Sequence, residues 1–303
     1  MKKLFLLIIL LTFAGQSYSS ELKSELKSNL QFFFKSLTEN HSVKDFGVLP
    51  EGIEIIEGEG YRGIKLSVSY FELRVDTWGE DIGLLERFNK EKSDNDQLFA
   101  AINGTFYSSR GILGQVISDG KIPVWPKQYI AALPRCFLST FRGLKGYQHW
   151  FIGETTVGAS VLKTGIFDKV WFNGESSTGT IMDNAIGGGG WILRNRKDVH
   201  NESFDRQRFR FKTEDLKARR TVVAQDTDRC IYLLVFETGN SLHQIARTFA
   251  HNKVFEKVND AFFLDGGASS CIVLNGKYLV PPLYLVDKAR FSAIQVIKSD
   301  LTW

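Results

Sequence analysis

The stretch that decides the fold is residues 219–270, RRTVVAQDTDRCIYLLVFETGNSLHQIARTFAHNKVFEKVNDAFFLDGGASS. Thr221 to Ala224 and Cys230 to Phe236 are apolar runs rich in β-branched and aromatic residues, the composition of buried strands. Ser241 stands where a helix would be capped, and Leu242, Ile245, Ala246, Phe249 and Ala250 then recur at the three- and four-residue spacing of one helix face. A further apolar run, Ala261 to Leu264, ends in Asp265-Gly266-Gly267. Strand, helix and strand in that order is the layout of a βαβ unit.

Outward from this unit the chain reads mainly as β. Ile64, Leu66, Val68, Tyr70, Leu73 and Val75 alternate with polar residues, and Leu98 to Ile102, Gln115 to Ile117 and Ser292 to Ile297 are further strand-like runs. Asp81 to Lys92 reads as a second helix. Arg206, Arg208, Arg210 and Lys212 alternate with Phe209 and Phe211, the pattern of a strand with one charged face. The expected fold class is therefore α+β: a mixed, largely antiparallel β-sheet with packed helices. No fixed-period repeat and no Pro/Ser/Gly linker divides residues 43–303, which read as one domain.

Two segments precede that domain. Met1-Lys2-Lys3, the apolar run Leu4 to Phe13 and the small-polar stretch Ala14 to Ser20 have the three parts of a secretory signal peptide, residues 1–20. The apolar run is shorter than the roughly 20 residues a membrane span needs, and none of that length follows. Residues 21–42 place Leu22, Leu26, Leu30, Phe33, Phe34 and Leu37 on one face of an amphipathic helix. The expectation is a secreted or periplasmic protein with no membrane span in its mature form.

The chain of 303 residues has a formal charge of +4, and removing the leader leaves 36 basic against 34 acidic side chains. So even a balance gives no long-range field for nucleic acid, and no basic run of the needed length occurs. Cys136, Cys230 and Cys271 are too few and too far apart for a disulfide framework or a zinc site. Cys230 and Cys271 could be neighbours, with buried thiols the alternative.

Several familiar motifs fail on context. Gly58-Glu59-Gly60-Tyr61-Arg62-Gly63 satisfies G-x-G-x-x-G, but it leads into a strand and sets two glutamates where a pyrophosphate would sit, so it reads as a turn. Gly114 to Lys121 is one residue too long for a P-loop, and no nucleophile elbow of the G-x-S-x-G type occurs. His41, His149, His200, His243 and His251 are scattered, and His243 and His251 lie two helical turns apart. No metal site is expected among them; an ion held by carboxylates such as Asp226 and Asp228 stays open. No cofactor is expected.

Four polar or glycine-rich elements end apolar strands, the position at which side chains converge on a ligand. They are Asn103-Gly104-Thr105-Phe106-Tyr107, Gly187-Gly188-Gly189-Gly190, Arg220-Thr221, and Asp265-Gly266-Gly267-Ala268-Ser269-Ser270. In order and with their flanks, over about residues 64–300, they resemble the phosphodiester glycosidase family and its AxNGxFF, glycine-rich, RTAVG and NLDGGGS segments. Leu73-Arg74-Val75-Asp76 and Gly111 to Lys121 support the match. Ala224 stands for the last glycine of RTAVG, Ala268 for the third glycine of the final turn, and the acidic-glycine segment is shortened to Glu237-Thr238-Gly239; all three are expected beside the pocket.

The resemblance implies a hydrolase acting on a carbohydrate or glycosyl-phosphate substrate, with N-acetylglucosamine one candidate sugar. In such a site Asp265 would be the catalytic carboxylate and Arg220 the phosphate clamp, its planar fork matching two phosphate oxygens. Gly266, Gly267 and Ala268 would offer amides to the same anion, and Asn103 would bond sugar hydroxyls beside Gly104, Thr105 and Tyr107. Thr221, Ser269, Ser270 and Glu237 complete the expected substrate wall; Trp171, Glu175 and Trp191 are further candidates, a tryptophan here being either a platform stacked on a sugar ring or a core residue. Each residue also has a plainer reading: Asp265 as a turn cap, Asn103 as a left-handed turn residue, Arg220 as the partner of a surface carboxylate. A non-catalytic glycan-binding or envelope-associated protein that retains the fold is the alternative, motivated by Ala224 and Ala268.

Overall fold

The two apolar runs of the deciding stretch form strands Arg220–Asp226 and Ile231–Phe236, and the helix between them and strand Val258–Phe263 is Leu242–His251. The computed structural model describes residues 43–79, 82–109, 111–114, 116–123, 135–142, 148–155, 166–167, 170–172, 175–177, 180–207, 218–237, 239–283 and 291–299. The leader, the helix expected at 21–42 and residues 208–212 lie outside them. The described residues all belong to one compact unit, Ser42–Trp303. Arg206 lies in the last turn of a helix, His200–Gln207, where the alternating charges had suggested a strand. Among the described residues no helix is long and apolar enough to cross a membrane.

The βαβ unit is split. Arg220–Asp226 pairs antiparallel with both Ile231–Phe236 and Val258–Phe263, so the two strands joined by the helix run parallel with a third strand between them. They belong to a seven-stranded sheet whose order is Ile53–Gly58, Tyr61–Leu66, Ile231–Phe236, Arg220–Asp226, Val258–Phe263, Trp191–Arg194 and Lys197–Asp198. The G-x-G-x-x-G string is the tight turn of the first hairpin in this sheet, as read, with Gly58 opposite Tyr61. A five-stranded sheet is ordered Lys277–Val280, Ile272–Leu274, Leu98–Asn103, Ser292–Lys298 and Phe71–Thr77. A six-stranded sheet is centred on Gln148–Thr155 and Arg135–Arg142, with Asn184–Gly187 beside the latter. The long ladders are antiparallel throughout.

Both faces of the seven-stranded sheet are buried, which explains why its central strands read as continuous apolar runs. Val223, Leu233 and Val235 point into a core shared with Leu73, Ile102 and Ile294 of the five-stranded sheet and Leu138, Ile152 and Ile186 of the six-stranded one. Val222, Ala224, Tyr232 and Leu234 point the other way, onto Leu242, Ile245, Ala246 and Phe249 of the helix. Helix Leu84–Asp94 lays Leu84 and Phe88 on Leu98, Ala101 and Val273. Asp76 holds this helix by accepting two hydrogen bonds from Arg87, at 2.7 and 2.9 Å, and a third from Gln295.

The glycine tetrad is the joint between sheets. Gly188 N donates to Cys136 O and Gly189 N to Phe263 O, while Cys136 N donates back to Gly189 O. A Cβ on Gly188 would lie 2.4 Å from the Phe263 carbonyl oxygen, and one on Gly189 would lie 2.1 Å from the Phe263 ring. The glycines thus serve close backbone approach.

Helix Leu242–His251 is pinned by a reciprocal cap, Gln244 N donating to Ser241 Oγ and Ser241 N to Gln244 Oε1. Ser241→Ala should cost about 1 kcal/mol and Leu233→Ala, emptying the shared core, about 2–5 kcal/mol. Urea denaturation of both variants checks the order: a larger loss at Ser241 would contradict this account of the packing.

Candidate active site

The expected site residues gather at one end of the two sheets. Arg220 begins its strand opposite Phe236, Asp265 follows the strand that ends at Phe263, and Asn103 ends its strand opposite Ala293. Asn103 is 1% exposed. Its Nδ2 donates to Asp265 O at 2.9 Å, and its Oδ1 accepts from Thr221 Oγ1 at 2.7 Å and from Cys271 N at 3.2 Å. The Thr221 and Ser270 hydroxyls are 3.0 Å apart, both residues being wholly buried. Asn103, Thr221 and Ser270 therefore form a sealed polar layer beneath the turn. Asn103 is a strand residue with ordinary negative φ, so the left-handed turn reading is set aside.

Above this layer sits the Asp265 turn. Asp265 N donates to Gly104 O, and Asp265 Oδ1 accepts from Gly266 N at 3.0 Å; Ser269 also hydrogen-bonds the carboxylate. Burial pushes the Asp265 carboxyl up to about 6, against the opposing pull of Ser269, Gly266 N and the Arg220 charge. Burial in turn lowers Arg220, with Asp265 working to raise it. A Cβ on Gly266 would lie 2.8 Å from Arg219 O and 3.4 Å from Arg220 Nη1, so the turn passes directly against both arginines. Arg220 thus lies close enough to the candidate catalytic carboxylate for each charge to act on the other.

Three expectations need correction. The Gly267 amide donates to Arg219 O at 2.8 Å and the Gly266 amide to the Asp265 carboxylate, so both are engaged within the turn and not offered to a bound phosphate. Ala224 is fully buried and packs under the helix, four residues along the strand from Arg220, about 13 Å at the rise of a β-strand, so it is not beside the pocket. Trp191 is 2% exposed, with the Arg194 guanidinium 5.4 Å from its ring centroid; it is a core residue and not a sugar platform.

The remaining residues frame the turn. Gly104 packs against Ser292, and Thr105 N donates to Ser292 Oγ at 3.1 Å. Tyr107 is half-buried, edge-on to Phe291. Glu237 takes a forked contact from Arg219, with N···O distances of 2.7 to 3.0 Å. Arg219 also donates to Pro281 O and Ser270 O. Sequence reasoning missed Arg219, whose carbonyl seats Gly267 and whose guanidinium joins four segments; two consecutive arginines ahead of an apolar strand were its only signal. Trp171 and Glu175 have no described side chains.

The opposite end of the Arg220–Asp226 strand borders a cavity of about 530 Å³ lined by Phe141, His149, Trp150, Gln225, Asp226 and Asp260. Its acids are engaged by the fold. Asp226 accepts from Asp228 N, Cys230 N and Tyr232 Oη, and Asp260 from Asn195 N and Asn259 Nδ2. Asp228 pairs with Lys257 at 2.6 Å. No cysteine is disulfide-bonded: Cys230 lies at this end and Cys271 beside Asn103 at the other. The histidines are less scattered than their spacing implies, since His200 and His243 meet at Asp198.

The phosphodiester glycosidase family model matches residues 153–290, slightly under half of the chain and a span holding both Arg220 and Asp265, so this buried acid and adjacent arginine lie in a segment similar to that family. Among solved structures the chain is similar to the zebrafish N-acetylglucosamine-1-phosphodiester alpha-N-acetylglucosaminidase catalytic domain auto-inhibited by pro-peptide, at 18% identity and a TM-score of 0.59, covering 82% of each chain. A hypothetical protein from Synechocystis shares the fold at 14% identity and a TM-score of 0.53, covering 84% of this chain and 64% of that one. So does an exported-protein candidate from Burkholderia pseudomallei K96243, at 12% and 0.54, covering 78% and 73%. No curated protein sequence matches.

The raised Asp265 value has a sign for stability. An acid whose folded value lies above its unfolded value of 3.8 destabilises the fold progressively as pH rises from about 4 through about 6. Asp265→Asn should therefore stabilise the protein by about 1–3 kcal/mol at pH 7.5 and by nothing near pH 4. Thermal melts across that range test this, and a gain independent of pH would refute it.

Proposed function

We propose that the protein is an exported hydrolase that cleaves a glycosyl phosphodiester, with Asp265 as the catalytic carboxylate and Arg220 as the phosphate clamp. The juxtaposition of a buried carboxylate with a raised proton affinity and a guanidinium across one glycine turn carries this reading. The departing phosphate monoester is a good leaving group, so little proton donation is needed. The work of the site is to hold the phosphate and to stabilise positive charge at C1. Arg220 offers two parallel N–H donors to phosphate oxygens. Asp265 either takes the proton of an attacking water or attacks C1 itself, while the C1–O bond breaks with its electrons going to the phosphate oxygen.

Asn103, Thr221 and Ser270 are positioning residues in this scheme, because their polar atoms are spent on fixing the Asp265 turn. The same holds for Gly266, Gly267 and Ser269. Tyr107, Thr105 and Glu237 flank the sugar side. N-acetylglucosamine is the sugar named by the zebrafish relative and the first substrate to try. Placing Ala224 deep in the core removes one of the two substitutions that favoured a non-catalytic protein.

Activity should require the ionised form of Asp265, so kcat/KM on a sugar 1-phosphodiester should rise with pH through about 6 and then level. Asp265→Asn should abolish release of reducing sugar with folding retained, and Arg220→Ala should lower kcat/KM by about 100- to 1000-fold. Absence of turnover by the wild type across several such substrates would overturn the proposal.

A further inference from the structure

Outside the candidate active site, the fold assembles a cluster that no linear motif announced. We propose that Asp198, His200 and His243 form a binding site for a transition-metal ion of the Zn²⁺ class. Asp198 ends the hairpin begun by Trp191–Arg194, His200 opens helix His200–Gln207, and His243 lies in the first turn of helix Leu242–His251. One donor atom from each residue lies within 4.8 Å of the other two.

The donor set is two imidazoles and a carboxylate, which suits zinc and its neighbours and not the all-oxygen shells of magnesium or calcium. Zinc bonds of 2.0–2.2 Å place tetrahedral donors about 3.3 Å apart. His200 Nδ1 is 2.5 Å from Asp198 Oδ1, and His243 Nδ1 is 3.9 Å from Asp198 Oδ2. The first pair must open by about 0.8 Å and the second close by about 0.6 Å, and His243, with 57% of its side chain exposed, can swing to provide the latter. Exposed Asp198 and His243 leave room for water at the fourth position.

The burial of His200 sets which of its ring nitrogens faces the cluster. His200 is 3% exposed, and its buried Nε2 has no hydrogen-bond partner among the described residues. This Nε2 lies on the far side of the ring from Nδ1, so its burial fixes the ring with Nδ1 as the nitrogen presented to Asp198. The ring of His200 also lies 5.7 Å, centroid to centroid, from that of His243. A bound cation on the Asp198 side of these rings would join the start of one helix to the start of the other.

The cluster lies on the active-site side of the sheet. Val199 N bonds Ile192 O, Trp191 pairs with Phe262 just ahead of the Asp265 turn, and His243 follows the segment in which Glu237 holds Arg219. Metal binding would thus brace the flank of the site, though the proposal does not depend on the hydrolase reading.

Isothermal titration of the EDTA-stripped full protein with ZnCl₂ should show one equivalent bound, and saturation should raise Tm by about 5 °C. His243→Ala, at an exposed position where folding is not at risk, should weaken binding by at least about 10- to 100-fold and remove the Tm gain. Asp198→Asn should act likewise. His251→Ala, altering another exposed histidine of the same helix, should change neither. Co²⁺ in place of Zn²⁺ should give visible absorption that His243→Ala abolishes. No binding, binding equal in wild type and His243→Ala, or an equal Tm gain from MgCl₂ would overturn the proposal.

Discussion

The Asn103 carboxamide is the contact on which the active end of the molecule depends. It accepts from one strand through Thr221, accepts from another segment through Cys271 N, and donates to the carbonyl of Asp265. Two sheets are thereby held in register at the point where the acid leaves its strand. The arrangement is economical because each buried polar atom answers another, which is the condition for burying them at all. An aspartate in the same place would offer no donor to Asp265 O, and an apolar residue would leave Thr221 and Cys271 N unanswered. The AxNG motif is in this view first a structural device, and chemical only through the carboxylate it positions.

Much of this was legible in sequence. The strand and helix signals around residues 219–270 were read correctly because both patterns were long and strongly periodic, and the Ser241 cap formed as expected. What periodicity could not supply was order across the sheet: a strand inserted between the two halves of a βαβ unit leaves no local mark. The site was legible in part. Asp265 and Arg220 stand together because both end strands of one sheet, which the motif order implied. The use of the Gly266 and Gly267 amides was not legible, since a glycine turn that cradles an anion and one that seats against a carbonyl share the same letters. Arg219 and the pairing of His200 with His243 were hidden for the same reason, being products of tertiary contact between distant segments.

The proposed anionic substrate would meet a nearly neutral chain. The field of 36 basic and 34 acidic groups cancels at a distance. Selectivity is then local: Arg220 is partly buried beside an acid that is itself costly to ionise, so each makes the charge of the other tolerable. An incoming phosphate would compete with Asp265 for the guanidinium and leave the carboxylate readier to hold a proton or to attack.

The ladder connections carry a further consequence for how the chain is made. Tyr61–Leu66 pairs with Ile231–Phe236, and Phe71–Thr77 pairs with Ser292–Lys298. The earliest strands of the domain therefore wait for the latest, and contact order is high throughout. During synthesis the Tyr61–Leu66 edge of the first hairpin is open to wrong partners until Ile231–Phe236 has emerged, and Phe71–Thr77 waits longer still, for Ser292–Lys298. A chain of this topology folds as a whole and late, and its yield in a cell should be governed by whatever shields those early strands in the interval.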